Sequence, residues 1–431
     1  MKHVKVTLDN EMIEGILVKE DDKHVVIKLS NGYNIGVSRR SIIKIEEIQS
    51  YKELKAERSS ESVHEKIAHD SSLPKVLILH TGGTIASKVD YRTGATYPTF
   101  SPKDLEDMFP ELRDLAQIDS KLFRSMWSED IRFAHYNLLA KEIASELEKD
   151  PSIKGIIIGH GTDTIHYTSA ALGFVFEHLP VPVVIVGSQR SSDRGSSDAA
   201  MNLVSAVSFI ANTSLKGVFI CMHENMSDEK CIVLNGFNAK KLHSSRRDTF
   251  KQVNGAPIAR VDYATKSIEY ISEYPETSLN SPGKLKILPF NENLHVGISY
   301  AHPNMFAAEL EHFLKGYEGL ILVGTGLTNF PINEIDEHTK ENTKIKNILS
   351  ELAKKIPVVM TLQTVYGRVN MNVYTTGRDL QELGILGNYS SLITETAFIK
   401  LAWLLSQKLD PKEYFMKNLR GEFSNTSLDE E

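Results

Sequence analysis

Two stretches decide how this chain folds: KVLILHTGGT (75–84) and GIIIGHGTDT (155–164). Each is a short run of Val, Ile or Leu that ends abruptly in Gly, Thr and His. A run that is apolar at successive positions is buried on both faces, as a strand in a parallel sheet is, whereas a half-buried strand alternates. PVVIVGSQR (182–190) and GVFICMHE (217–224) repeat the pattern. Between them YNLLAKEIASELEKD (136–150) carries Leu139, Ile143 and Leu147 on one helical face, and Asp150-Pro151 stops it. Strand alternating with helix predicts an open α/β sheet with crossover helices over 73–271.

Past SEYPETSLNSPGK (272–284), a Pro-, Ser- and Gly-rich stretch read as a linker, the alternation resumes on a smaller scale. VGISYAH (296–302), GLILVGTG (319–326) and IPVVMTLQT (356–364) are strands with helices between them. The expectation is a second α/β domain over 285–420 in tandem with the first, both mainly parallel, and a frayed polar tail over 421–431. In front, residues 1–50 hold five Val/Ile-rich segments: Lys2–Leu8, Met12–Lys19, His24–Leu29, Tyr33–Ser38 and Ile42–Ile48. Asp9-Asn10, Asp21-Asp22 and Asn31-Gly32 supply turns. Five strands in so short a span predict a small β-barrel, since closure removes exposed edges. Residues 51–72, YKELKAERSSESVHEKIAHDSS, are charged and poor in large apolar side chains, and read as a linker.

Composition excludes several classes. Of 431 residues, 49 are Lys or Arg and 56 are Asp or Glu, a net charge of −7. No apolar run reaches the ~18–20 residues that span a bilayer, and MKHVKVTLDNEMIEG is no signal peptide, so a cytoplasmic protein is expected. Two cysteines, Cys221 and Cys231, cannot build a disulfide framework or a four-ligand zinc site, and read as reduced, non-catalytic thiols. No HExxH and no Cys/His cluster is present, so no metal is expected in this chain. The barrel region balances eight Lys/Arg against eight Asp/Glu, without the basic footprint of a nucleic-acid binder, and reads as a docking module or spacer.

In open α/β sheets, ligands bind beyond the carboxyl ends of the strands. Thr81-Gly82-Gly83-Thr84 and His160-Gly161-Thr162-Asp163-Thr164 both leave such ends. Glycines let backbone N–H groups approach a ligand and form an oxyanion hole. A threonine hydroxyl becomes a nucleophile when a neighbouring base takes its proton. One TGGT alone is compatible with a phosphate-cradling turn, but neither stretch fits the dinucleotide or P-loop templates. Two such clusters on one sheet point to hydroxyl chemistry.

TGGTIA (81–86) and HGTDT (160–164) closely resemble the two signatures of the asparaginase/glutaminase family of amidohydrolases, and the resemblance spans roughly 74–415. It implies Thr81 as nucleophile, with Thr162, Asp163 and a lysine as a second catalytic group. The lysine falls in NAKKLHSSRRDTFKQVN (238–254). Alignment on its aromatic end selects Lys241, with Lys240 as the neighbouring alternative and Lys251 too far along. Ser128-Glu129 corresponds to a Ser–Gln pair that grips the α-carboxylate and α-amine of an amino acid; here Glu stands in place of Gln. Tyr97 resembles a mobile lid tyrosine, with Tyr91 competing. Backbone N–H groups near Gly82 and Gly161 are implied oxyanion donors, and His160 is read as a structural hydrogen-bonding residue.

The appended barrel, together with DYRTGATYP (90–98), SSRRD (244–248) and QTVYGRVNMNVYTTGRDL (363–380), is similar to the D-subunit branch of that family, found in archaeal glutamyl-tRNA(Gln) amidotransferases. That branch implies glutamine hydrolysis on behalf of a GatE-like E subunit. The E subunit would bind Glu-tRNA(Gln), use ATP and Mg, and receive the ammonia. A homodimer of this chain within a heterotetramer is also implied. A free-standing L-asparaginase with an added barrel is the alternative.

Overall fold

A computed structural model describes residues 2–8, 12–28, 34–50, 72–83, 85, 87–89, 96–98, 108–190, 192 and 196–424. At the front, β1 (Lys2–Leu8), β2 (Met12–Glu20), β3 (His24–Lys28), β4 (Asn34–Ser38) and β5 (Ile42–Ser50) pair antiparallel in the order β4-β3-β2-β1-β5. The five segments match those read from the sequence to within two residues at each end. Alternate residues Val4, Val6, Val25, Ile27 and Val37 point to one buried face. Where the sequence predicts a barrel, the described residues form a five-stranded antiparallel sheet, in which no ladder joins β4 to β5. Of the expected linker only Ser72 lies within the described residues.

The central sheet is formed by β6 (Lys75–His80), β9 (Gln117–Leu122), β10 (Ile153–Gly159), β12 (Pro182–Val186), β13 (Gly217–His223), β14 (Lys230–Asn235), β17 (Ala259–Asp262) and β18 (Ile268–Tyr270). Outside it lie β7 (Ser87–Val89), β8 (Thr96–Pro98), β11 (Phe176–Glu177), β15 (Ala239–Lys241) and β16 (Phe250–Gln252). The order is β18-β17-β14-β13-β12-β10-β6-β9. From β13 to β9 every neighbour is parallel; β14, β17 and β18 extend the sheet antiparallel. Helices α1 (Phe133–Lys149), α2 (Ile165–Val175) and α3 (Ala199–Asn212) cover its faces. Beyond β19 (Lys286–Ile287), β20 (Val296–Tyr300), β21 (Gly319–Gly324) and β22 (Val358–Leu362) form a parallel three-stranded sheet. It is flanked by α4 (Lys340–Lys355) and α5 (Thr394–Ser406).

Two expectations change here. The stretch 272–284 is no loose tether: His178 and Leu179 donate their N–H groups to Ser278 and Leu279, and Leu279 is fully buried. The tail expected from 421 is packed as far as Phe423: Glu422 is wholly buried and pairs with Lys400 on α5. A polar composition misleads at both places because the backbone and one carboxylate find partners inside. The helix α5 joins the two halves. Its Leu401, Trp403 and Leu404 belong to the same apolar cluster as Leu77, Ile156, Ile158 and Phe174, so one core is shared between the two α/β halves.

Candidate active site

Strands β6 and β10 are parallel neighbours with His80 opposite Gly159, so TGGT and HGTDT leave the sheet side by side. Thr81 is held at this edge twice by the same carbonyl: its N–H (2.9 Å) and its hydroxyl (3.0 Å) both donate to Gly159. It is 4% exposed. Gly82 sits at φ +120°, where a Cβ would lie 2.2 Å from the Met126 carbonyl oxygen. Gly83, at φ +82°, would place a Cβ 2.7 Å from the Gly161 nitrogen. Only glycine permits both that backbone conformation and that approach. Ser128 lies in the same cluster: its carbonyl accepts the Thr164 hydroxyl at 2.7 Å, and a Cβ on Gly161 would meet the Ser128 Cβ at 2.9 Å. Three loops, 81–83, 126–129 and 160–164, therefore close on one another.

The β15–β16 hairpin supplies the cation. Lys241 Nζ donates to Thr162 Oγ1 at 2.9 Å and to Asp163 Oδ1 at 2.7 Å. The lysine side chain is 11% exposed and the aspartate 69% exposed, so the pair spans from the interior to the rim. Lys240 turns the other way and donates to Glu395 of α5 at 2.6 Å. Burial pushes the Glu395 carboxyl up, but His166 and Lys240 outweigh it and hold it at about 2. Lys251 donates to the Glu224 carbonyl at 3.0 Å. Of the three lysines in this segment, Lys241 is the one joined to the HGTDT motif.

His160 is wholly buried, with Nδ1 on the Gly161 carbonyl at 2.7 Å and Nε2 on the Thr168 hydroxyl at 2.8 Å. Burial takes its pKa down to about 4, which suits a neutral structural imidazole. Glu129 follows Ser128 on a short 3-10 turn, and the Ser128 hydroxyl stands 3.5 Å from its carboxylate. Tyr97 lies on β8, paired with Lys88 of β7; its side chain, like Tyr91 and Thr84, falls outside the described residues. Cys221 and Cys231 are both free thiols and fully buried. Among the described residues no group of His, Cys, Asp and Glu is arranged to hold a metal ion, and no helix is long and apolar enough to cross a membrane. The sequence reading did not reach the Thr164–Ser128 bond or the Glu395–Lys240–His166 cluster beside the site. Thr164 was visible in the motif, whereas Glu395 lies 155 positions from Lys240 with no local signal.

Residues 75–275 match the family described as asparaginase, N-terminal, and 295–415 match the glutaminase/asparaginase C-terminal domain. Residues 1–48 match the GatD N-terminal domain. A relative from Thermofilum pendens, described as the D subunit of glutamyl-tRNA(Gln) amidotransferase, is 36% identical, with 98% of this chain and 93% of that one covered. A relative of the same description from Methanopyrus kandleri is 38% identical over 96% of this chain and 89% of that one. This chain belongs to the family of glutamyl-tRNA(Gln) amidotransferase D subunits. Solved structures add the fold of its two α/β halves. The thermostable L-asparaginase from Thermococcus kodakarensis superposes with a TM-score of 0.70 at 27% identity, covering 82% of this chain and 100% of that one. L-asparaginase I from Vibrio cholerae gives 0.68 at 27% identity, covering 82% and 99%.

Proposed function

We propose that this chain is the glutamine-hydrolysing component of a tRNA-dependent amidotransferase that converts Glu-tRNA(Gln) to Gln-tRNA(Gln). The observation that carries the reading is the Lys241–Thr162–Asp163 cluster, on the loop that leaves β10 beside the Thr81 loop that leaves its neighbour β6. Thr81 Oγ1 attacks the side-chain amide carbon of glutamine, the C–N bond breaks, and ammonia leaves. Water then cleaves the glutamyl ester and restores the hydroxyl. Thr162, Asp163 and Lys241 move the protons. N–H groups near Gly82 and Gly161 receive the oxyanion, while Ser128 and Glu129 hold the amino-acid end of the substrate and Tyr97 closes over it.

The ammonia passes to a GatE-like partner that binds the tRNA, with ATP and Mg used on that partner. A homodimer of this chain within a heterotetramer, working in the cytoplasm, completes the reading. The match of residues 1–48 to the GatD N-terminal domain supports it over a free-standing L-asparaginase.

The test is Gln-tRNA formation by the co-expressed complex with glutamine or ammonium chloride as nitrogen donor. Thr81→Val keeps the shape and removes the hydroxyl, so glutamine-dependent formation is expected to fall by at least ~10³-fold. High ammonium should restore it. A wild-type protein that prefers asparagine, ignores the partner and never supports transamidation establishes the asparaginase reading instead.

A further inference from the structure

Behind the site runs a chain of polar side chains that the reaction above does not use. It begins at Arg247, in the turn of the β15–β16 hairpin that also carries Lys241. The Arg247 guanidinium donates to the Asp228 carboxylate and to the Met226 carbonyl. Asp228 Oδ1 faces His223 Nε2 at 3.3 Å, and His223 Nδ1 meets Asn202 Oδ1 at 2.6 Å. The Asn202 amide nitrogen then donates to Asp198 Oδ2 and to the Gly187 carbonyl, both at 3.1 Å. Asp198 also accepts from the Ser188 hydroxyl and from the Gln189 and Arg190 N–H groups, each at 3.0 Å. His223, Asn202 and Asp198 are all fully buried.

The two ends of this chain meet again at the reacting groups. Gly187 backs onto Thr162, where a Cβ would lie 2.7 Å from its Cγ2. The hairpin holds Lys241, whose Nζ reaches Thr162 Oγ1 at 2.9 Å. The Lys241–Thr162 bond is thus the closing link of a ring whose other side is Arg247–Asp228–His223–Asn202–Asp198. The donor set defines its centre. Asn202 spends its N–H₂ on Asp198 and Gly187, so its oxygen faces His223, and Asp228 presents an oxygen to the other ring nitrogen. Both nitrogens of His223 face acceptors, which favours the doubly protonated ring. Burial pushes His223 down, but Cys231, Asp228 and Asp198 outweigh it and the net direction is up. Burying polar groups such as His223, Asn202 and Asp198 is costly unless each is bonded, as each is here.

We infer that Asp228, His223, Asn202 and Asp198 form a positioning relay that sets the hairpin bearing Lys241 against the loop that backs Thr162. This rests on the amide-hydrolysis reading, because what the relay positions is the proton-transferring pair. Its residues touch no reacting atom. Loosening the relay should therefore lower turnover while leaving substrate affinity alone.

The experiment compares Asp228→Ala, Asp228→Asn and His223→Gln in the full chain with its partner. Asp228 is 68% exposed, so its replacement does not threaten folding. Asp228→Ala is expected to lower kcat for glutamine ~10-fold with KM within about twofold. Asp228→Asn, which keeps an acceptor, should recover most of the loss, and His223→Gln, which keeps one donor, a part of it. Lys400→Met, which breaks a buried pair remote from the relay, should lower the melting temperature without this kcat effect. Amide hydrogen exchange gives a second readout. The Gln189 and Arg190 N–H groups should exchange about tenfold faster in Asp228→Ala, at unchanged global stability. Unchanged kcat together with unchanged exchange at 189–190 overturns the relay. If the wild type hydrolyses no amide, the functional reading fails, and the exchange result alone decides whether the relay holds the loop.

Discussion

A Gly–Thr step follows a buried strand in both α/β halves, and the two steps have different fates. After β10, Thr162 meets Lys241 Nζ at 2.9 Å. After β21, Thr325 turns on itself: its N–H (2.9 Å) and its hydroxyl (3.3 Å) both point at the Asn329 carbonyl, closing a turn. The first hydroxyl faces a cation delivered by a hairpin from elsewhere in the chain, and the second is used up locally. A threonine at a strand's carboxyl end can be activated only where another element brings it a proton carrier, and of these two hydroxyls only that of Thr162 has a lysine beside it among the described residues. The histidines of the two halves differ in the same way. His80 and His160, at the ends of β6 and β10, are buried and driven down to about 4. His302, just past β20, is exposed and is raised by the Pro303 carbonyl and by Glu309.

The largest effect that tests this contrast is in turnover. Thr162→Val should cost ~10²–10³-fold in glutamine hydrolysis, while Thr325→Val should stay within about twofold of wild type, since it removes one long local bond. Equal losses at the two positions break the comparison. Next comes the lysine. Arginine keeps the charge but does not give up a proton, so Lys241→Arg should lower kcat ~10²-fold, and Lys240→Arg and Lys251→Arg should be mild. A damaging Lys240→Arg would move the proposed proton-transfer role from Lys241 to the Glu395 side of the strand.

A smaller effect is in stability against pH. His80 and His160 have folded pKa values near 4, below the ordinary 6.5, so the unfolded chain takes up protons first. Stability is then complete above about pH 6.5 and is lost as pH falls toward 4, by roughly 3 kcal/mol for each histidine. Urea unfolding at pH 7 and pH 4.5 measures it, and His160→Gln should remove about half of the acid sensitivity. His302, whose shift has the opposite sign, should add none in that window.

Much of this was legible along the chain. The four apolar runs 75–80, 155–159, 182–186 and 217–221 became β6, β10, β12 and β13, because a strand buried on both faces needs no partner-specific pattern. The helix over 394–406 escaped. TETAFIKLAWLLS buries ten residues spread around its circumference, Glu395 and Lys400 among them, so it shows no single apolar face for periodicity to find. The segments 272–284 and 421–424 look like solvent-exposed chain by composition and are held by long-range bonds that composition does not carry.

What the sequence by itself determined is the set of buried strands, the glycine turns that follow two of them, and the hydroxyls those turns present. Each is a local property: apolar runs, absent side chains and residue type. What only the tertiary structure decided is that Lys241, which the family resemblance favoured over Lys240, meets the Thr162 hydroxyl. Lys240 and Lys241 are adjacent on β15, and adjacent strand residues point to opposite faces. A slip of one residue in the pairing of Lys241 with Phe250 would exchange them, sending one toward Thr162 and the other toward Glu395. That register is set by packing between elements far apart in the chain.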